Sequence, residues 1–237
     1  MSLATALTHL TELAEAEQDL RADLAQRDRA WAAAPSELPG WTRAHVVGHL
    51  AGNALGLINL VTWASTGTEQ PMYPSPESRA AEIDRRAALA WDVLLAELDS
   101  AVQALQDALE HLTEPVATRV VRMTSGAPLN VADIAATRIR EVQIHRVDLG
   151  AGYPPSSWST AFTLRTCGEL ASFFLKHRDV PVRVLRASDT GRCWEVGSKG
   201  PDLLGAEAEL LAWLIGRPSS GLRTSDGTEA PEAPTWV

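Results

Sequence analysis

The segment REVQIHRVDLG, residues 140–150, places three side chains that could do chemistry near the end of a predicted helix. Glu141 and His145 are four residues apart, so they lie about 40° apart on one helix face. They border the apolar side of the helix, where an unpaired carboxylate is costly to bury. Glu141 therefore needs a partner, which is either His145 alone or a metal ion.

Asp148 follows three residues after His145, close to the negative end of the helix dipole, where an acidic residue is mildly unfavourable. It is either an ordinary exposed acid or a carboxylate that orients a ligand imidazole or an arginine.

A second polar stripe lies in the segment HVVGHLAGN, where His45, His49 and Asn53 are spaced four residues apart on an otherwise apolar helix. The stripe is either the solvent-exposed face of that helix or the wall of a polar cavity between helices. If His45 or His49 met Glu141 and His145, two imidazoles and one carboxylate would leave a coordination position open. That donor set is typical of catalytic zinc. The spacing does not decide between His45 and His49.

Four long helical segments position these side chains. Leucine periodicity predicts a helix over 3–33, and Thr42 is a suitable N-cap for a second helix to about residue 64. Ser75-Pro76-Glu77 begins a third helix that continues to about residue 112. Asn130 and Asp133 begin a fourth, which Gly150 ends. Four such helices predict a four-helix bundle over residues 1–152.

The pattern changes after residue 152. It predicts a helix over 158–177, two strands in VPVRVLRA and RCWEVG, and a helix over 204–216. Residues 223–237 are polar and contain proline, which predicts a surface-hugging or poorly ordered tail. The chain is thus predicted to be α+β overall, with a small α+β domain over 153–237.

Composition narrows the functional classes. The formal net charge of −9 argues against nonspecific binding to nucleic acid or to an anionic membrane. Two cysteines cannot form a disulfide framework or a cysteine-rich zinc module. The N-terminus has no basic and apolar leader, so a cytoplasmic location is expected. Residues 44–68 contain no Asp, Glu, Lys or Arg, but their His, Asn and Gly residues favour a buried bundle helix over a membrane span.

Four motifs occur in order along nearly the whole chain: WTRAHVVGHLAGNA, PMYPSPESRAAEID, REVQIHRVDLG and LLAWLIGRPSSGL. Together they resemble the mycothiol-dependent maleylpyruvate isomerases, within the DinB-like group of metal-binding four-helix-bundle enzymes. The resemblance implies that His49, Glu141 and His145 bind zinc, and it selects His49 over His45. It also implies that Arg79 and Arg217 hold acidic groups of the thiol cofactor or the substrate.

The resemblance further implies a reaction. Mycothiol would add as a zinc-activated thiolate to the cis double bond of maleylpyruvate, the resulting single bond would rotate, and elimination would give fumarylpyruvate, as in gentisate-type aromatic degradation. The expected partners are a small dicarboxylate substrate and a low-molecular-weight thiol, and the expected state is a monomer. Two alternatives remain open: a zinc-dependent mycothiol S-transferase acting on other electrophiles, and a non-enzymatic metal-binding or stress protein.

Overall fold

A computed structural model describes residues 3–234. The chain divides between Gly152 and Tyr153 into two compact units.

Helices dominate the first unit. They are listed in chain order: α1 (Leu3–Thr8), α2 (Leu10–Ala25), α3 (Arg29–Ala33), α4 (Arg43–Thr66), α5 (Pro76–Ala87), α6 (Trp91–Glu110), α7 (Glu114–Ala117) and α8 (Ile134–Asp148). A short antiparallel hairpin, β1 (Val120–Arg122) and β2 (Pro128–Asn130), precedes a turn of 3-10 helix over Val131–Asp133 that leads into α8.

Helices α2, α8, α4 and α6 surround one apolar core, and each of them packs on the next in that order. Each contributes fully buried aliphatic side chains, among them Leu20, Leu50, Leu98 and Val142. Burial of this apolar surface is the main force that holds the four helices together. The predicted four-helix bundle is therefore confirmed.

Helix boundaries differ from the predictions at two places. The segment predicted as one helix over 3–33 is three helices. The third begins at Arg29 and is capped by Asp28, which accepts a hydrogen bond from the Trp31 amide. The segment predicted as one helix over 76–112 is two helices, α5 and α6, separated by a bend at residues 88–90. No Gly or Pro marks this bend. Tertiary contacts stabilise it instead. Arg85 donates two hydrogen bonds to the Glu97 carboxylate, and the Trp91 indole donates one to the Arg27 carbonyl.

Helix α4 begins as predicted, since Thr42 caps it by accepting a hydrogen bond from the His45 amide. Among the described residues, α4 is long and apolar enough to cross a membrane by length and composition, but 78% of its most apolar window is buried inside the structure. It contacts α5, α6 and α8 and is the central helix of the first unit.

The predicted start of the fourth helix at Asn130 is early. Asn130 ends strand β2, and the α-helix begins at Ile134 after the 3-10 turn. Its predicted end is right, because the chain turns at Gly150 with a φ of 60°, a conformation that favours glycine.

The second unit is a small α+β structure. Its elements are α9 (Thr160–His177), β3 (Val184–Ala187), β4 (Cys193–Glu195), β5 (Leu203–Gly205), α10 (Glu207–Leu214) and β6 (Arg223–Thr224). The strand order is β4-β3-β5-β6, with β3 and β5 parallel and the other pairs antiparallel.

Two strands of this sheet fall where the sequence predicts other structure. Strand β5 occupies the predicted start of the last helix, and β6 lies in the predicted tail. The tail is held further by a hydrogen bond from the Trp213 indole to the Pro231 carbonyl, so its described part hugs the surface. Residues 235–237 of that predicted tail lie outside the described residues. The α+β class is confirmed.

Candidate metal centre

Three side chains of the bundle converge on one point. One ligand atom from each of His49, Glu141 and His145 lies within 4.8 Å of the other two. His49 Nε2 is 3.1 Å from Glu141 Oε2, and His145 Nε2 is 3.6 Å from the same oxygen. The two imidazole rings meet edge to face, with centroids 4.7 Å apart. Both Nε2 atoms therefore face the same carboxylate oxygen.

The helices explain this convergence. Glu141 and His145 lie one turn apart on α8, and His49 lies on α4, which packs against α8. Helix α5 can approach α4 closely because Gly48 has no side chain, since a Cβ there would lie 2.9 Å from Arg86 Cβ. This close packing brings the first turns of α5, including Arg79, beside His49.

The site is sheltered but not sealed. The His49 side chain is 6% exposed, that of His145 is 13% exposed and that of Glu141 is 21% exposed. Burial lowers the pKa of His49 to about 4, despite its hydrogen bond to Glu141. His49 is therefore a neutral imidazole near pH 7, the form that can bind a metal ion.

Burial and hydrogen bonds at this site shift the pKa values of Glu141 and His145. Burial on its own would raise the pKa of Glu141, but hydrogen bonds from His145 and His49 outweigh it and hold the pKa well below its ordinary value. Burial would lower the pKa of His145, but the carboxylates of Asp148 and Glu141 outweigh it and raise the pKa. Glu141 is therefore an anion in a partly buried pocket, which attracts a cation.

Asp148 orients one of the imidazoles. It is 1% exposed, and its Oδ2 is 2.8 Å from His145 Nδ1. When a carboxylate accepts a hydrogen bond from Nδ1–H, Nε2 is the nitrogen that faces Glu141. This arrangement is common around metal-bound histidines. Of the two roles that the sequence left open for Asp148, the orienting role is the one that the geometry supports.

Of the other residues named from the sequence, Arg79 lies beside the cluster, whereas His45 caps α4 and Arg217 belongs to the second unit. Arg79 Nη2 is 3.2 Å from His49 Nδ1. His45 does not join the cluster; its Nδ1 accepts a hydrogen bond from the Thr42 amide and completes the cap of α4. Arg217 lies just after α10 in the second unit, where its Nη1 donates to the Ile215 carbonyl.

Two aromatic residues beside the cluster were not predicted. The Arg79 guanidinium carbon lies 5.6 Å from the centre of the Tyr73 ring, and the Trp41 ring lies 5.8 Å from the His49 ring. Burial raises the pKa of the Tyr73 phenol. Neither residue has a spacing signal, because both lie outside the helices. Trp41 directly precedes the cap of α4, whereas Tyr73 lies in a loop that only the folded bundle brings to α4.

The donor set fits a divalent metal ion of the zinc type. Two imidazoles and one carboxylate are a common triad at catalytic zinc sites, where a fourth position is left for water or substrate. Asp148 supplies the carboxylate that often supports such a triad. Among the described residues, this is the one group of three or more His, Cys, Asp or Glu side chains close enough together to hold a metal.

Comparisons with known proteins agree with this geometry. The family model described as mycothiol maleylpyruvate isomerase N-terminal domain matches residues 13–150, more than half of the chain. A crystal structure of the mycothiol-dependent maleylpyruvate isomerase is 30% identical, with a TM-score of 0.91, and covers 98% of this chain and 97% of its own. A histidine-to-alanine mutant of that enzyme is 29% identical, with a TM-score of 0.90 and the same coverage. No curated protein sequence matches the chain significantly. The bundle, its His and Glu residues and the family model agree, and the chain belongs to the mycothiol maleylpyruvate isomerase family.

Proposed function

We propose that this protein is a mycothiol-dependent maleylpyruvate isomerase and that His49, Glu141 and His145 hold its zinc ion. The observation that carries the proposal is the convergence of these three side chains, with ligand atoms within 4.8 Å, in a chain that resembles the solved isomerase over 98% of its length. A zinc ion there would keep a net positive charge and would lower the pKa of a coordinated thiol, which supplies the thiolate for reversible addition to a cis double bond.

The protein's own residues perform the remaining tasks. Asp148 holds the His145 ring so that its Nε2 faces the centre. Trp41 and the surrounding helices limit the access of water to His49, which strengthens electrostatic interactions at the site. No side chain is needed as a general base, because the thiolate both adds and leaves.

The arginines are proposed to hold acidic groups. Arg79 lies beside His49 and offers a planar fork of donors that matches a carboxylate better than lysine would. Holding the substrate carboxylate would also stabilise charge that develops on the neighbouring enolate. Arg217 stays a proposed anion-binding residue of the second unit.

The isomerase proposal is tested with two measurements on the full chain. Zinc content is measured after purification without added metal, and maleylpyruvate conversion is followed with and without mycothiol. We expect about one zinc per chain, and turnover that requires both the thiol and the metal. Zinc-free protein with full thiol-dependent turnover would remove the metal from the proposal.

The S-transferase alternative shares the same metal ligands, so metal content does not separate it from the isomerase. Consumption of mycothiol in the presence of a generic electrophile, without conversion of maleylpyruvate, would favour the transferase. Absence of both activities, with zinc bound, would favour a non-enzymatic metal-binding protein.

A further inference from the structure

The contact between Arg79 and His49 fixes where the protons of His49 lie. A guanidinium has only donors, so Arg79 Nη2, at 3.2 Å, must donate to a lone pair on His49 Nδ1. On the opposite side of the ring, Nε2 lies 3.1 Å from Glu141 Oε2, and a carboxylate accepts. Both contacts therefore assign the proton of His49 to Nε2.

This proton arrangement conflicts with metal binding. A neutral imidazole has one lone pair, and Arg79 occupies it. A metal at Nδ1 would take that lone pair directly. A metal at Nε2 would require the proton to move to Nδ1, where an N–H would point at the guanidinium donors. Whichever nitrogen binds the metal, the Arg79 hydrogen bond to His49 must break.

The Nδ1 contact of His145, unlike that of His49, does not conflict with a metal at Nε2. His145 Nδ1 is 2.8 Å from Asp148 Oδ2, so the proton on Nδ1 is held there, and Nε2 can bind a metal without any change at Nδ1. The two histidines of the cluster thus differ. His145 is prepared for a metal by a carboxylate, whereas His49 is occupied by a cation.

Arg79 has a second interaction partner that would keep it near the cluster after its hydrogen bond to His49 breaks. Its guanidinium carbon lies 5.6 Å from the centre of the Tyr73 ring, within the range of a cation–π interaction. Helix α5 begins at Pro76 with a capping box, which anchors the backbone of this region. The freed guanidinium would therefore remain beside the cluster, with its donors available to an anion.

We propose that Arg79 and the metal ion compete for the His49 imidazole, so that metal binding releases the Arg79 guanidinium to bind a carboxylate of the incoming ligand. This inference rests on the proposed metal site. It makes metal binding and carboxylate binding mutually favourable, since each removes Arg79 from His49, and such linkage is reciprocal. Tyr73 is the positioning residue that keeps the released guanidinium at the site.

The first test measures zinc affinity of the metal-depleted full chain by competition with a chromophoric chelator. The variants are Arg79→Gln, which removes the charge and shortens the side chain, and Arg79→Lys, which keeps the charge but loses the guanidinium fork. Arg85→Gln is the matched control, because Arg85 is on the same helix but pairs with Glu82 and Glu97. We expect both Arg79 variants to bind zinc roughly tenfold more tightly than the wild type, as expected for loss of a competing charged hydrogen bond, and Arg85→Gln to match the wild type.

An unchanged or weaker zinc affinity in Arg79→Lys overturns the competition, since an increase confined to Arg79→Gln would reflect charge alone. Nitrogen-15 spectra of the His49 ring give a second readout that does not depend on affinity. The metal-free wild type should carry its proton on Nε2 and the zinc-loaded form on Nδ1. A proton on Nδ1 in the metal-free protein contradicts the assignment.

The carboxylate half is tested with maleate as the probe. Zinc loading should raise maleate affinity in the wild type but not in Arg79→Gln, and Tyr73→Leu should show a reduced rise with zinc affinity unchanged. An equal rise in Arg79→Gln would mean that the metal alone binds the carboxylate, which overturns this half.

Failure of the inference is distinguishable from failure of the proposed site. If His49→Ala binds zinc as the wild type does, the proposed site is wrong. If His49→Ala loses zinc but Arg79→Lys equals the wild type, only the competition is wrong.

Discussion

Two polar clusters lie side by side between α4 and α8, and they have opposite characters. In one, Arg138 is fully buried; its Nε donates to Glu17 Oε1 at 2.7 Å, and its Nη1 donates to the Leu50 carbonyl and to Asn53 Oδ1. We call this group the sealed cluster. In the other, His49, Glu141 and His145 leave up to a fifth of a side chain exposed.

The difference shows how a buried polar group becomes functional. In the sealed cluster the charge of Arg138 meets that of Glu17, although Arg138 Nη2 and Glu17 Oε2 have no hydrogen-bond partner among the described residues. We therefore expect this cluster to hold the helices together. In the candidate metal centre, two imidazoles face a single carboxylate oxygen, and the three side chains together could hold a metal ion. The sealed cluster is thus expected to govern stability and the open cluster to govern activity.

The largest expected effect is loss of activity in His49→Ala. Loss of this proposed metal ligand would remove several kcal/mol of transition-state stabilisation, so turnover should fall about a thousandfold or more. Zinc content should fall with it, while the metal-free protein should unfold at nearly the wild-type midpoint.

His45→Ala is the matched control, since it removes a histidine one turn away that caps α4. This variant should keep zinc and turnover and should lose about 1 kcal/mol of stability. Similar losses of zinc in the two variants would break the distinction between cap and ligand.

The sealed cluster should show the reverse pattern. Glu17→Ala leaves the Arg138 guanidinium buried without its carboxylate, a change that typically costs about 3–5 kcal/mol. Chemical denaturation of the metal-free chain measures this loss, and zinc content of the folded protein should stay near one per chain. Glu17→Gln keeps an acceptor for Arg138 and should lose less. A greater loss of zinc than of stability in Glu17→Ala would contradict the division between the clusters.

The sequence predicts the helices that carry the two clusters, but not which polar residue belongs to which cluster. Periodicity and capping residues predict the bundle helices because each of these signals is local. The four-residue spacing groups Asn53 with His45 and His49, yet the structure gives the three residues different roles. Asn53 belongs to the sealed cluster, His45 caps α4, and only His49 meets Glu141.

Spacing could not separate these roles, because the partner of each residue lies far along the chain. Arg138 is 85 residues from Asn53, and Glu141 is 92 residues from His49. The resemblance to the family selected His49 over His45, and the structure places His49 beside Glu141. The bend at residues 88–90 and strand β5 were missed for a similar reason, since tertiary contacts override local propensity there.

Among the cluster residues, the smallest expected effect comes from Asp148, which combines features of both clusters. It is as buried as the sealed cluster, yet its Oδ2 holds His145 Nδ1 at 2.8 Å. Asp148→Asn keeps an acceptor but removes the negative charge, so zinc affinity should fall about 10- to 100-fold, as for other supporting carboxylates. The raised pKa of His145 should also move down in the metal-free variant, because Asp148 is a main cause of its elevation.

A stability measurement across pH then decides which cluster Asp148 serves. A histidine whose pKa is raised by folding stabilises the fold below its unfolded pKa, and this contribution is lost as the pH rises through the folded pKa. Asp148→Asn should therefore destabilise the metal-free protein more on the acidic side of that range than on the basic side. An equal loss of stability at all pH values, with zinc affinity unchanged, would place Asp148 with the sealed cluster. Only a carboxylate that acts on His145 affects both the zinc affinity and the pH dependence of stability.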